Sequence, residues 1–193
     1  MKLYNEVCKL AEELEKGRLI CIHSIQQVKE DPRYTGEGKK ELIEELLKEY
    51  SKGVEKANNE RISLIDEFIK DIRPERGNLQ VKELNEVLTL IKGLNVPLSD
   101  NELLDVTRSF NDNFATMEIL KREIEDNNIE YNLYPETFKN LENKKAIFEK
   151  IEDFEKQKEW QRQYFKDDIN LTCIKYSLEE LKDWEQELLN LSK

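Results

Sequence analysis

A seven-residue repeat between residues 43 and 68 constrains the fold of this chain more than any other feature of its sequence. Its members follow one another at alternating steps of four and three residues, which is the spacing of one face of a long α-helix. They are Ile43, Leu47, Tyr50, Val54, Ala57, Arg61, Leu64 and Phe68. Most residues between them are polar or charged. Because a helix with one narrow apolar stripe must bury it against another helix, the pattern predicts helix–helix association.

The composition favours long helices with thin cores. Of the 193 residues, 38% are hydrophobic and 38% are charged, against roughly 25% charged in ordinary globular domains. Runs of alternating apolar and polar residues are short throughout, so no strand is predicted. The predicted fold class is all-α, with a long antiparallel, coiled-coil-like helical hairpin, a small three-helix unit and long C-terminal helices.

The N-terminal hairpin is predicted over residues 1–73. A first helix from about Leu3 to near Glu30 carries an apolar stripe, which is expected to drift beyond Gly17. Its members are Leu3, Val7, Leu10 and Leu14, and after Gly17 they are Leu19, Ile22 and Ile25. The Pro and two Gly of Asp31–Gly38 interrupt helix and mark the tip of the hairpin. The repeat from 43 to 68 then forms the returning helix.

A compact unit of short helices is predicted over residues 79–127, after the boundary Arg73-Pro74-Glu75-Arg76-Gly77. Ser99 and Glu102 have the spacing of a capping box, flanked by the hydrophobic pair Leu98 and Leu103, and this predicts a helix start at Ser99. Another short helix is expected from about Phe114 to Asp126.

Long helices return over residues 133–193, following Pro135. Ser177 and Glu180 form a second candidate capping box, so this region is either one long kinked helix, which the pattern slightly favours, or two helices. Trp160, Tyr164, Phe165 and Trp184 form an aromatic group there. The candidate interface residues are Ile43, Leu47, Tyr50, Val54, Leu64, Phe68, Trp160, Tyr164, Phe165 and Trp184.

No motif identifies a reaction, and no catalytic, cofactor-binding or metal-binding residue is predicted. His23 is the single histidine, and Cys21, two positions away on a helix, points in a different direction. The Gly36–Lys40 segment lacks the residues of a phosphate-binding Walker loop. No Glu has a His three residues later, as di-metal helical bundles require. Three widely spaced cysteines predict reduced thiols.

The net charge of −11 makes direct binding to nucleic acid or to an anionic membrane unfavourable. Between residues 79 and 127, ten acidic and five basic residues also argue against a DNA-binding helix-turn-helix. The N-terminus lacks the apolar core of a signal peptide, and no window approaches the roughly 20 apolar residues of a membrane span. We therefore expect a soluble protein made in a cytoplasm, with protein partners.

Three features resemble those of small helical proteins encoded among the virion structural genes of tailed phages of low-GC Gram-positive bacteria. They are the Asp31–Glu41 segment before a long helix, Leu98–Leu103 followed by Phe110–Phe114, and a charged C-terminal helix. The resemblance implies a non-enzymatic role in head or neck assembly, in the host cytoplasm or the virion, with self-association or other virion proteins as partners. It supplies no functional residue. An intracellular helical adaptor or regulator that binds a host or phage protein is the alternative.

Overall fold

The computed structural model describes residues 2–94, 96–167 and 171–192, with the backbone alone for residues 157–167 and 171–177. Its elements follow the chain in the order α1 (Lys2–Glu30), α2 (Gly36–Ile72), α3 (Val81–Gly93), α4 (Asp100–Thr107), α5 (Phe114–Asp126), a 3-10 turn (Tyr131–Leu133), α6 (Pro135–Asp167) and α7 (Leu171–Leu191). These ranges contain no β-strand. The predicted all-α class is confirmed.

The helices belong to two compact units, and α6 contributes to both. The long-helix unit comprises Met1–Ile72 with Glu152–Leu189, and the short-helix unit comprises Arg73–Ile151 with Asn190–Lys193. The first change of unit falls at the start of the Arg73–Gly77 segment, where the sequence predicts a boundary. The C-terminal segment 133–193 is divided between the units, because the first half of α6 packs with the short helices.

α1 and α2 contact each other in opposite chain order. The Tyr50 ring faces Gly17, so that a methyl group built on Gly17 would lie 3.9 Å from Tyr50 Cε2. Further along α1, Cys21 Sγ lies 3.8 Å from the Leu46 carbonyl oxygen. Later residues of α1 thus contact earlier residues of α2, as expected for two antiparallel helices. The supercoil of a coiled coil stays a prediction.

The buried face of α1 differs from the prediction beyond Gly17. Leu19 and Ile22 are 54% and 47% exposed, so the predicted drift of the stripe towards them is wrong, whereas Ile25, the third residue of that prediction, is half-buried. The stripe instead keeps its spacing through Gly17, Cys21, Ser24 and Val28, all of them buried or half-buried. An uninterrupted helix keeps its period whatever its side chains are, so the same face of α1 stays turned towards α2. The residues at these positions are mostly small, and small residues therefore occupy the contact face here.

The buried face of α2 also departs from the predicted stripe. Ile65 and Ile69 are buried, whereas Leu64 and Phe68 are half-buried, and Leu47 is 49% exposed. A strict seven-residue repeat rotates by about 20° per heptad on a straight helix. The predicted positions therefore do not follow the centre of the buried face along all of α2. Near its end the following residues, Ile65 and Ile69, are buried instead, and near its start the preceding residue, Leu46, is half-buried.

Arg61 of the predicted stripe is buried. Its Nη2 donates to Asn58 Oδ1 at 3.1 Å, and Asn58 is buried as well. Burial lowers the pKa of Arg61 to about 10, which leaves the guanidinium charged at neutral pH. The long-helix unit therefore buries a cation and an amide together on the inner face of α2.

The N-terminus of α1 is held by a carboxylate from α7. Glu185 is 1% exposed, and its two oxygens accept hydrogen bonds from the backbone N–H groups of Leu3 at 3.2 Å and Tyr4 at 2.8 Å. These N–H groups lie in the first turn of α1, where a helix leaves its donors without intrahelical partners. Glu185 thus stabilises α1 from the far end of the chain, through hydrogen bonds and the helix dipole.

Aromatic side chains pack the long-helix unit beside this carboxylate. The Phe154 and Trp184 rings are stacked with centroids 3.8 Å apart, and the Phe68 ring lies 5.7 Å from Trp184 at a tilt. Phe154 is fully buried and Trp184 nearly so. Such pairs add about 0.5–1.5 kcal/mol beyond the burial of their area.

The short-helix unit has one apolar core, built from all of its helices. Its buried members are Leu84, Val87, Leu103, Phe110, Phe114, Met117, Leu120, Ile124, Tyr134, Phe138 and Leu141. The predicted capping box of α4 is confirmed: Ser99 N donates to Glu102 Oε2 at 2.7 Å, and Glu102 N donates to Ser99 Oγ at 3.4 Å. α5 begins at Phe114 and ends at Asp126, as the sequence predicts.

The start of α6 is bound to the start of α4. Asp100 accepts hydrogen bonds from the N–H groups of Glu136 at 3.0 Å and Thr137 at 3.1 Å, and from the Thr137 hydroxyl at 2.7 Å. Burial raises the pKa of Asp100, but these hydrogen bonds lower it more, and the pKa lies below its ordinary value. One carboxylate therefore satisfies the first donors of a helix 36 residues away.

The C-terminal region contains two helix ranges, α6 and α7, with residues 168–170 outside the described part. The favoured prediction of one long kinked helix depends on residues 168–170, which lie outside the described part, so it stays a prediction. The alternative start at Ser177 is wrong in position, because α7 already begins at Leu171 and Ser177 lies inside it. A Ser with a Glu three residues later also occurs inside helices, where no free N–H groups need a cap.

Candidate interaction surface

The predicted interface residues of α2 differ in exposure. Leu47 is 49% exposed, and the others are half-buried: Ile43, Tyr50, Val54, Leu64 and Phe68. Phe68 packs beside Trp184 within the long-helix unit, so these two side chains already have apolar neighbours. Trp160, Tyr164 and Phe165 lie outside the residues whose side chains are described. The structure therefore brings Tyr50 to the contact between α1 and α2 and places Leu47 on the surface.

A groove of about 510 Å³ lies along the contact between α1 and α2. Its apolar lining consists of Leu10, Leu14, Ile20, Cys21, Leu46, Tyr50 and Ala57, and its small and polar lining consists of Gly17, Ser24, Gly53, Glu13, Glu49, Lys56 and Glu60. Ile20 is 67% exposed. Both helices therefore present apolar side chains to a concave and partly open surface.

Two glycines shape the groove. A methyl group built on Gly53 would meet no atom within 4 Å, and one built on Gly17 would only touch the Tyr50 ring. Glycine inside a helix costs about 0.5–1 kcal/mol relative to alanine. Neither backbone adopts a positive φ, so no turn requires these glycines. Their effect is to leave space on the face where the two helices meet.

Tyr50 forms the polar part of the groove floor. Its hydroxyl oxygen is buried and makes no hydrogen bond with the described residues. Burial raises the pKa of Tyr50, while the nearby Arg18 cation opposes the rise. Arg18 itself is held by Glu15, with Nε and Nη2 at 2.7 and 2.8 Å from the two carboxylate oxygens. Because the pKa of Tyr50 lies above its ordinary value, its phenol is neutral at physiological pH.

The charged rim of the groove is acidic. Glu13, Glu49 and Glu60 are exposed, as is the single basic lining residue, Lys56. In the part of the chain that the structure describes, none of the three carboxylates makes an ion pair. The groove therefore combines an apolar floor with unneutralised negative charge at its edges.

The short-helix unit has a pocket of its own, of about 430 Å³. Ile91, Leu103, Ile124, Ile129 and Tyr134 form much of it, and Lys92 stands at its edge in an ion pair of 3.3 Å with Glu123. The α3–α4 connection supplies Leu94 and Val96, which are 41% and 72% exposed. Most residues that line this pocket are apolar, Lys92 and Asn127 are its polar members, and Lys92 is already paired.

A polar cluster on the same unit binds α5 to α6. Lys121 Nζ lies 2.6 Å from Glu142 Oε1 and 4.1 Å from the centroid of the Tyr131 ring, and the Tyr131 hydroxyl donates to Glu142 at 2.9 Å. Burial lowers the pKa of Lys121, but hydrogen bonds to Glu142 and Tyr131 outweigh it and raise the pKa overall. All three groups engage one another, so the cluster stabilises the unit.

The side chains best suited to catalysis or metal binding do not converge on one site in the described part of the chain. His23 is exposed and contacts the Gln27 side chain at 3.1 Å, while Cys21 Sγ lies against the Leu46 carbonyl. Over the described residues, no group of three or more His, Cys, Asp or Glu side chains is arranged to hold a metal ion. No helix in those ranges has both the length and the apolar character that a bilayer crossing requires.

Sequence reasoning missed three residues that define the groove: Gly17, Ile20 and Gly53. A signal was present for the glycines, because each interrupts a strong helical pattern at a position where no turn follows. Ile20 was harder to find, since it lies about a quarter turn from the predicted stripe and becomes part of a surface only when α2 packs beside α1.

Comparison with protein-family models, with curated proteins and with solved structures finds no significant match.

Proposed function

We propose that this chain is a non-enzymatic structural or assembly protein that acts through helical protein–protein interfaces. The α1–α2 groove supports the proposal most directly, because it is concave, apolar at its floor and partly open. Half-buried apolar side chains, with the exposed Ile20 at their edge, indicate a protein contact at such a place rather than a folding core. The groove offers apolar side chains at its floor and carboxylates at its rim, and both kinds of group can recognise another protein.

The proposed setting is a tailed-phage particle, in the head or neck. The resemblance to virion structural proteins supports it. The segments that carry the resemblance are the α1–α2 connection with the first residues of α2, the segments at the starts of α4 and α5, and the charged C-terminal helix. The proposed partners are other copies of the chain or other virion proteins. Assembly proteins of this type associate through preformed helices, which keeps the entropic cost of binding low.

Size-exclusion chromatography with light scattering tests this proposal. The chain is run alone and with the capsid and portal proteins of the phage that encodes it under this proposal, and purified particles are analysed by mass spectrometry. We expect a stable complex with at least one of these proteins, or an oligomer. A monomer that binds none of them and is missing from particles would overturn the proposal, and recovery of a host enzyme instead would favour the adaptor alternative.

A further inference from the structure

We infer that the α1–α2 groove binds a basic amphipathic α-helix of a partner protein. This inference rests on the proposed function, because it names the kind of partner that the same surface recognises. Three features of the groove carry it: its shape, its glycines and its charge.

The shape of the groove fits one helix. From Leu10 to Ser24 the lining of α1 covers 14 helical steps, which corresponds to about 21 Å or four turns. Leu10 and Leu14 from α1 and Leu46 from α2 supply an apolar floor along it. A helix that inserts a stripe of apolar side chains is the usual occupant of such a groove.

The glycines admit a close approach. Gly53 has no neighbour within 4 Å of a built methyl group, and Gly17 contacts only the Tyr50 ring. The chain keeps both residues inside helices although glycine weakens a helix. Without side chains at these two positions, a partner backbone can approach α1 and α2 more closely than it otherwise would.

The charge selects a basic partner. Glu13, Glu49 and Glu60 surround the floor without ion pairs among the described residues, against the single cation Lys56. A second copy would bring the same carboxylates and a net charge of −11, so self-association through this face is opposed by repulsion. Lys or Arg residues flanking an apolar stripe would pair with the rim, which favours a partner helix of opposite charge.

Fluorescence anisotropy with the full chain tests the inference. The probe is a labelled synthetic peptide of about 18 residues, long enough for the groove at 1.5 Å per residue, with a Leu stripe flanked by Lys. One control peptide has the same composition in scrambled order, and another carries Glu in place of Lys. We expect the striped basic peptide to bind at least about tenfold more tightly than either control, and its affinity to fall with salt.

Matched variants locate the binding site. Gly53→Leu fills the groove at a position with open space, so it should fold with unchanged or higher helicity and weaken binding at least about tenfold. Gly93→Leu, also in open space but on α3, should stay within about twofold of the wild type. Glu49→Lys combined with Glu60→Lys should weaken binding and flatten its salt dependence, whereas Glu83→Lys on α3 should do neither.

Four results would overturn the inference: equal binding of the scrambled peptide, unchanged binding by Gly53→Leu, unchanged assembly of Gly53→Leu with virion proteins, or a wild-type dimer that Gly53→Leu dissociates. The last result would assign the groove to a second copy. If Gly53→Leu still assembles with virion proteins, the inference fails and the proposed function stands. If the basic peptide binds but no virion protein does, the proposed function fails, whereas the inference that the groove binds a basic amphipathic helix stands.

Discussion

At the scale of single residues, Gly77 is the position where the backbone most restricts the choice of amino acid. Its φ is +68°, and a methyl group there would lie 2.8 Å from Asn113 Nδ2. Asn113 cannot move freely, because its side chain accepts from Thr116 N at 3.1 Å and donates to the Asn78 carbonyl at 2.6 Å. Conformation and packing therefore both require glycine.

Gly77→Ala should destabilise the short-helix unit. We expect a loss of about 1–3 kcal/mol from the strained backbone, and up to about 1 kcal/mol more if the α5 cap of Asn113 is displaced. Urea unfolding monitored by circular dichroism measures the change. Gly93→Ala is the matched control, since that glycine has open space and a helical backbone, and should be neutral or slightly stabilising. Equal stability of the two variants would contradict this account of Gly77.

Asn128 shows how a residue other than glycine ends a helix. It has a φ of +56°, Asn128 N donates to the Glu125 carbonyl at 3.0 Å, and Ile129 N donates to the Ile124 carbonyl at 3.1 Å. These are the two hydrogen bonds of a Schellman motif, and Ile129 joins the core beside Ile124. Asparagine tolerates the left-handed conformation better than most residues do, which explains its place here.

At the scale of helices, long-range carboxylates define where two of the longest helices begin. Glu185 binds the first turn of α1, and Asp100 binds the first turn of α6. In both cases a negative charge meets the positive end of a helix dipole. Helices of this length therefore depend on contacts made far away in sequence, in addition to their own propensity.

Replacing Glu185 should release the start of α1. Glu185→Ala removes the acceptors of one buried and one half-buried N–H group, and we expect a loss of about 1–3 kcal/mol in the free energy of unfolding. Hydrogen exchange should be faster at the amides of Leu3 and Tyr4. Glu180→Ala, at an exposed position of the same helix, is the control and should change neither. Unchanged exchange at these amides in Glu185→Ala would show that the contact contributes nothing.

Asp100 should make the short-helix unit sensitive to acid. Its pKa is lower in the folded chain than the ordinary value near 3.9. A carboxylate whose pKa is lowered by folding stabilises the folded chain at pH values above its unfolded pKa. This stabilisation is lost as the pH falls through the folded pKa. We therefore expect the wild type to lose stability below about pH 4 more steeply than Asp100→Asn.

Urea unfolding at pH 7 and pH 3 measures the difference in stability between the wild type and Asp100→Asn. At pH 7, Asp100→Asn should be less stable by about 0.5–2 kcal/mol, because an amide offers one acceptor oxygen where the carboxylate offers two. Asp105→Asn, in an exposed pair with Arg108 on α4, should follow the wild type. Parallel acid profiles for the wild type and Asp100→Asn would rule out this role.

At the scale of the whole molecule, α6 is shared between the two compact units. Its first part joins the core of the short-helix unit through Phe138 and Leu141, and its later part joins the long-helix unit through Phe154. Local stability in proteins follows such packing units more closely than it follows helix boundaries. One helix is therefore expected to show two levels of protection.

Leu120→Ala should reveal this division. The side chain is fully buried in the short-helix core, and its truncation typically costs about 2–5 kcal/mol. Hydrogen exchange measured by mass spectrometry should show lost protection in α3, α4, α5 and residues 135–151 before residues 1–72 are affected. Leu90→Ala, on α3 at a position that is 41% exposed, is the control. Uniform loss along all of α6 would contradict the division.

The sequence alone determined the helical class, the bounds of α1 and α5, and the capped start of α4. These features depend on local physics: the 3.6-residue period, and side chains such as Ser99 that bind backbone groups a few residues away. The segment that separates α2 from α3 was equally readable, because the Pro and Gly of residues 73–77 act on their own backbone.

Only the tertiary structure decided which faces are buried and what holds the helix ends. Cys21 rather than Leu19 faces α2, because that choice depends on where the neighbouring helix lies. Asp100 and Glu185 look like ordinary surface carboxylates in sequence, and their roles arise from partners 36 and about 180 residues away. The groove likewise exists only where two helices meet, since each contributes half of its lining and neither half is concave alone.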